Sequence, residues 1–193
     1  MTIETAAAFA IAMFLLAVSP GAGLAAILSR ALGSGPRAGF AVTTGLVFGD
    51  FTFIAIAMVG LSAVASAMGP MFQVVKYAGA AYLLWLGYKA FKSADKPIEI
   101  AAEGNVTPLW RDVALGLFVT MGNPKPIFFY GALLPTFMDM TAIGVADYLT
   151  LSAIVCAISY PVYGAYIYAV ERSRRLVAST RTVKRLNQAT GVM

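Results

Sequence analysis

The chain has 193 residues, 60% of them hydrophobic and only 12% charged, with a net charge of +5. That balance excludes an ordinary soluble domain, because the apolar residues fall in runs long enough to cross a bilayer. One cysteine, Cys156, and no histidine exclude an internal disulfide and a His/Cys zinc or copper site, so no metal and no cofactor is expected and Cys156 is read as packing.

Five apolar runs follow in order: Thr5 to Leu28, Gly39 to Met68, Met71 to Phe91, Val113 to Pro135, and Ala146 to Val170. About 20 apolar residues suffice to span the hydrocarbon core. No strand alternation or soluble linker separates the runs, so residues 1–193 read as one all-α transmembrane domain. Met1-Thr2-Ile3-Glu4 lacks the basic start of a signal peptide, and the first run is therefore expected to stay in the mature protein.

Run one contains Ser19-Pro20-Gly21-Ala22-Gly23 well inside its length. Ser19 can cap a new half-helix with Pro20 in its first position, and the glycines permit a bend or a close backbone approach. A simple kinked helix is the alternative. Run two carries Gly45-x-x-x-Gly49, a small-residue face suited to close helix packing, followed by Asp50, the carboxylate well inside a run. Such a group either binds an ammonium or carries a proton, or it is a structural ion-pair partner, with Lys125 as the candidate. Run three is aromatic, with Tyr77, Tyr82, Trp85 and Tyr88; Trp85 and Tyr88 fit an interfacial belt, and Lys76 can snorkel outward. Residues 92–111, with Pro97 and Pro108, read as a polar loop between two halves.

Run four holds Gly122-Asn123-Pro124-Lys125-Pro126. A lysine at such depth faces a water-filled cavity or an acidic partner. The prolines donate no backbone hydrogen bond, so the carbonyls of Thr120 and Gly122 lose their usual helical partners. Free carbonyls at membrane depth are tolerated only where protein, water or solute satisfies them. Asn123 and Pro124 read as N-cap and first residue of a half-helix. An ammonium and the positive end of a helix would meet there, a site for an anionic group. Run five contains Ser159-Tyr160-Pro161, read as a further proline break.

All 14 basic residues except Lys76 and Lys125 fall on or flank alternate loops, or follow run five. The positive-inside rule then puts the N-terminus outside and the basic loops in the cytoplasm; topology and anionic lipid account for these charges without nucleic acid. At about 1.5 Å per residue, Ser19 and Pro161 lie about 13 Å from the cytoplasmic ends of their runs, Asn123 about 15 Å and Asp50 about 16 Å. All four sit near the middle of a core about 30 Å thick. Runs one and four cross in opposite directions, each broken by a capping residue and proline, which is the trace of a 3+3 inverted-repeat helix bundle with its site at the repeat interface. Repeat one covers about 1–91 and a partial repeat two about 112–193, with five transmembrane helices present and the sixth missing.

With Ser19-Pro20-Gly21, the Gly39/Gly45/Gly49-Asp50 pattern, Lys76-Tyr77-Ala78-Gly79-Ala80-Ala81-Tyr82-Leu83 with Gly87, Gly122-Asn123-Pro124-Lys125 and Leu134-Pro135-Thr136-Phe137 in place, the chain resembles the lysine-exporter (LysE) and homoserine/threonine-exporter (RhtB) family. The likeness implies a small multi-pass protein of the bacterial inner membrane, with about six helices, that expels amino acids or related metabolites against proton entry. The chain departs from the pattern at Ala22, where the family usually has proline, and at its end, Gly191-Val192-Met193, where a sixth helix should follow.

The expected site is Ser19, Pro20, Gly21, Asp50, Asn123, Pro124 and Lys125. Lys125 and the two half-helix N-termini would hold a solute carboxylate, and Asp50 would receive the ammonium or exchange it for a proton. The partners are a small solute, protons and the bilayer; a homo-oligomer is compatible. The competing reading is a non-transporting subunit or remnant with a structural Asp50–Lys125 ion pair. An enzyme is disfavoured, because no nucleophile–base set, metal-ligand cluster or phosphate loop is legible.

Overall fold

The computed structural model describes residues 1–61, 108–138 and 143–177. Run three, with Lys76 and its aromatic residues, lies outside the described residues. Described in chain order are α1 (Ile3–Val18), α2 (Ala22–Ser34), α3 (Pro36–Ile56) with a π-helical turn (Ala57–Leu61), α4 (Leu109–Gly122), α5 (Pro124–Phe128), a second π-helical turn (Phe129–Leu133), α6 (Leu134–Phe137) and α7 (Val145–Val177). The described residues contain no strand.

Local chemistry sets the ends of these helices. Thr2 Oγ1 accepts the Thr5 N–H at 3.2 Å, and Glu4 sits in the first turn of α1, at its positive end. The helix stops where Pro20 has no N–H for the Leu16 carbonyl and Ser19 turns extended. The chain then bends by 55° into α2. Gly35, at φ 91°, ends α2, and Pro36 takes the first position of α3. Only glycine adopts that φ freely, and the pairing of glycine stop with proline start is a common one.

Among the described residues, α3 with its π-helical turn (Pro36–Gly60) and α7 (Val145–Arg172) are each long and apolar enough to cross a membrane, and bent α1–α2 would make a third span. Pro161 does not break run five, contrary to the sequence expectation: α7 continues through it. Neighbouring contacts can carry a helix past a proline in an apolar bundle.

Helices α3 and α4 lie side by side and parallel, backbone against backbone. A Cβ on Gly45 would strike the Val113 carbonyl, and one on Gly116 would strike that of Val42. Gly49 makes room for Thr120, whose Oγ1 donates to the Leu46 carbonyl at 3.4 Å. The Gly45-x-x-x-Gly49 face is therefore the seam with α4. By contrast, α1–α2 runs antiparallel to α4–α6. Phe9 meets Phe129 and Phe137 at one end of the bundle, Lys125 reaches Leu16 and Ser19 at mid-height, and Arg30 meets Asp112 at the other end.

Two apolar clusters result. Phe9, Met13, Val47, Ile54, Tyr130 and Leu151 centre one, and Ile27, Ala31, Val42, Leu46 and Ile167 the other. A polar layer carried by residues 16–21, Asp50 and 120–125 lies between them. Cys156 packs against the first cluster.

The pair at the far end was not legible in the sequence, where Arg30 reads as a topology charge. Arg30 Nε donates to Asp112 Oδ1 at 2.6 Å and Nη2 to Oδ2 at 3.4 Å, with Asp112 only 2% exposed. The pair ties α2 to the start of α4. Replacing Asp112 with Ala is expected to destabilise the protein by about 3 kcal/mol, because it removes the carboxylate that faces a mostly buried guanidinium. The Arg30→Ala/Asp112→Ala double variant should lose less than the sum of the singles in thermal unfolding in detergent. Gly116→Ala should likewise cost about 3 kcal/mol or more, since the obstacle is backbone that cannot rotate away. Gly122→Ala, whose Cβ meets nothing within 4 Å, should be close to neutral in the same assay.

Candidate functional site

The breaks in the two antiparallel elements face each other. Asn123 caps α5, its Oδ1 accepting the Lys125 backbone N–H at 3.1 Å, with Pro124 in the first helical position. The Thr120 carbonyl, deprived of a partner by Pro124, accepts the Asn123 N–H at 3.1 Å.

The first break is built differently from the sequence expectation. Ser19 does not cap α2. It ends α1, with its N–H donating to Leu15 O and its Oγ to Leu16 O at 3.1 Å. Gly21 is the residue before α2, and no side chain caps that helix. Ser19 bonds backward because Pro20 leaves Leu16 O without a donor one turn away.

Lys125 completes this arrangement. Its Nζ donates to Leu16 O at 2.7 Å and to Ser19 O at 2.8 Å, while Tyr166 Oη donates to Val18 O at 3.1 Å. The ammonium thus sits on the carbonyl end of α1, where the helix dipole is negative. It is not ion-paired with Asp50: among the described residues the salt bridges are those of Arg30 with Asp112 and of the N-terminal amine with Asp147. The structural Asp50–Lys125 ion pair is therefore corrected, because the ammonium is claimed by carbonyls that the proline break exposes.

Between these groups lies a cavity of about 40 Å³, lined by Ser19, Gly21, Asp50, Thr120, Asn123 and Lys125 with apolar residues and Tyr163 around them. At about 10–15 Å³ for each enclosed water, this is room for about three waters, less than an amino acid requires. Asp50 is 6% exposed, and the Tyr130 hydroxyl in its neighbourhood donates to Met13 Sδ at 3.8 Å. Tyr163 is also within electrostatic reach of the carboxylate.

Of the residues singled out from the sequence, Ser19, Gly21, Asp50, Asn123 and Lys125 line the cavity. Pro20 and Pro124 do not, and they act through the backbone bonds they cannot make. Thr120, Tyr130 and Tyr163 were not anticipated. Thr120 could have been found as the partner of the Gly49 gap. Tyr163 stands two residues past the proline that drew attention to run five, and Tyr130 is placed by a π-helical turn with no sequence signature. Such single-turn irregularities gather at functional sites. The cavity thus presents one carboxylate, one ammonium engaged by carbonyls, hydroxyls on two sides and the uncapped start of α2. Among the described residues, no group of three or more His, Cys, Asp or Glu side chains gathers that could hold a metal.

Over 191 residues, covering 99% of this chain and 92% of the relative, the chain is 30% identical to a homoserine/homoserine lactone efflux protein of Salmonella typhimurium. It is 30% identical to a leucine efflux protein of Enterobacter sp. over 69% of this chain and 64% of that one. An uncharacterized membrane protein of Synechocystis sp. is 30% identical over 94% of this chain and 87% of its own length. No solved structure matches. The family model described as LysE type translocator matches residues 14–193, and the chain belongs to that family.

Proposed function

We propose that this protein exports amino acids or closely related small amines across the bacterial inner membrane, in exchange for protons. Membership of a translocator family supports transport. The observation that carries the solute assignment is the cavity where two broken, antiparallel helices meet around Asp50. Broken helices meeting near mid-membrane are a recurring way to hold a charged solute where access can alternate.

The names of relatives narrow the chemistry. Homoserine, its lactone and leucine share a primary amine, whereas the lactone has no carboxylate. A site that reads the amine first suits all three. In this reading Asp50 attracts the ammonium and exchanges protons, and the open amides at the start of α2, from Gly21 onward, favour a solute carboxylate. Ser19, Pro20, Asn123 and Pro124 shape the two breaks, and Lys125 joins them. The two broken elements belong to a 3+3 inverted repeat with the N-terminus outside, and a homo-oligomer is compatible with this arrangement.

The test is efflux of labelled leucine and homoserine from proteoliposomes with and without an inward proton gradient. Wild-type protein should release at least one of them, faster with the gradient. Asp50→Asn should slow that efflux about 10- to 150-fold, the equivalent of losing a charged hydrogen bond of about 1.5–3 kcal/mol, while leaving membrane insertion intact. Unchanged efflux by this variant would remove Asp50 from the mechanism.

A further inference from the structure

Lys125 Nζ is a primary alkylammonium held by two backbone carbonyls, Leu16 O at 2.7 Å and Ser19 O at 2.8 Å. The sequence creates that pair of acceptors: Pro20 denies Leu16 its helical donor, and the chain turns at Ser19 before α2 begins. Unwound carbonyl ends of broken helices coordinate small cations in transporters, and the negative end of α1 favours one here. The α-ammonium of an amino acid is the same chemical group as the lysine ammonium, one positive charge with three N–H donors.

We propose that the Leu16–Ser19 carbonyl pair is the amine subsite for the transported solute, and that Lys125 is its resident occupant, displaced when the solute enters. This rests on the reading of the cavity as the solute site and sharpens it. The zwitterion inserts into an existing contact: its ammonium takes the two carbonyls, and its carboxylate takes the ammonium of the withdrawn Lys125. One ammonium replaces another, so neither carbonyl is left unpaired and the lysine is not stranded.

Space argues the same way. The cavity of about 40 Å³ is too small for an amino acid while Lys125 crosses it. The lysine chain runs past Gly21, with Cδ 3.8 Å and Nζ 3.9 Å from where a Cβ would stand, so withdrawal of that chain opens room directly beside the carbonyls. Asp50, lining the same cavity without an ion-pair partner among the described residues, faces the positive charge that remains when solute and lysine are both present. A carboxylate attracts a primary and a quaternary ammonium alike, whereas two carbonyls favour the primary one, whose N–H groups they accept.

Lys125→Ala vacates the pair while keeping both carbonyls. In the purified variant, n-propylammonium chloride should raise the melting temperature by about 2–4 °C once its concentration exceeds the dissociation constant about fivefold. Tetramethylammonium chloride at equal ionic strength has the charge without the N–H donors and should leave it unchanged; wild type should respond to neither salt. No response to n-propylammonium, or an equal response to both salts, overturns the proposal. Should the variant fold poorly, wild-type proteoliposomes supply the second measurement. There an unlabelled amino acid should compete with labelled efflux at least tenfold better than its N,N,N-trimethyl derivative, and equal competition overturns the assignment. The thermal assay does not read transport, so rescue without efflux defeats the exporter reading alone, and efflux without rescue or N–H selectivity defeats the amine subsite alone.

Discussion

A lysine and a proline break are each costly inside an apolar bundle, and in this protein each removes the cost of the other. Pro20 leaves carbonyls at the end of α1 without helical donors, and such groups cannot stay unpaired away from water. Lys125 carries three donors and a charge to a depth where neither is tolerated alone. The contacts at 2.7 and 2.8 Å satisfy both demands. They also fix the relative height of the two broken elements, since a shift of one helical turn would leave ammonium and carbonyls facing apolar side chains.

The rest of the bundle is arranged to hold that meeting in place. The Gly45–Gly116 contact lets α3 and α4 touch backbone to backbone, which carries Asp50 and Thr120 to the wall of the cavity. Apolar clusters close the bundle on either side of the polar layer, and Arg30–Asp112 clamps α2 to α4 farther along. Packed interfaces of this kind are bistable and do not deform continuously. The cavity they enclose has room for about three waters.

Membership of the LysE type translocator family and the geometry address different questions. The family gives the class of activity, and the chemistry shared by the solutes named in its relatives directs attention to an amine. The structure adds that an amine is already present: the protein's own, on carbonyls exposed by a proline.

By itself the sequence determined the helical, apolar class, the position of both breaks, the capping of α5 by Asn123, and the placing of Ser19, Asp50 and Asn123 near one level. These follow from hydropathy, from the donor that proline lacks and from rise per residue, all of which are local. Tertiary structure decided what each charge meets. Lys125 found the carbonyls of α1 in place of Asp50, Ser19 bonded backward, α7 ran unbroken through Pro161, and Asp112 claimed Arg30. Those outcomes depend on which acceptor on a distant element lies within about 3 Å, a distance set by helix packing across the bundle and written in no single stretch of chain.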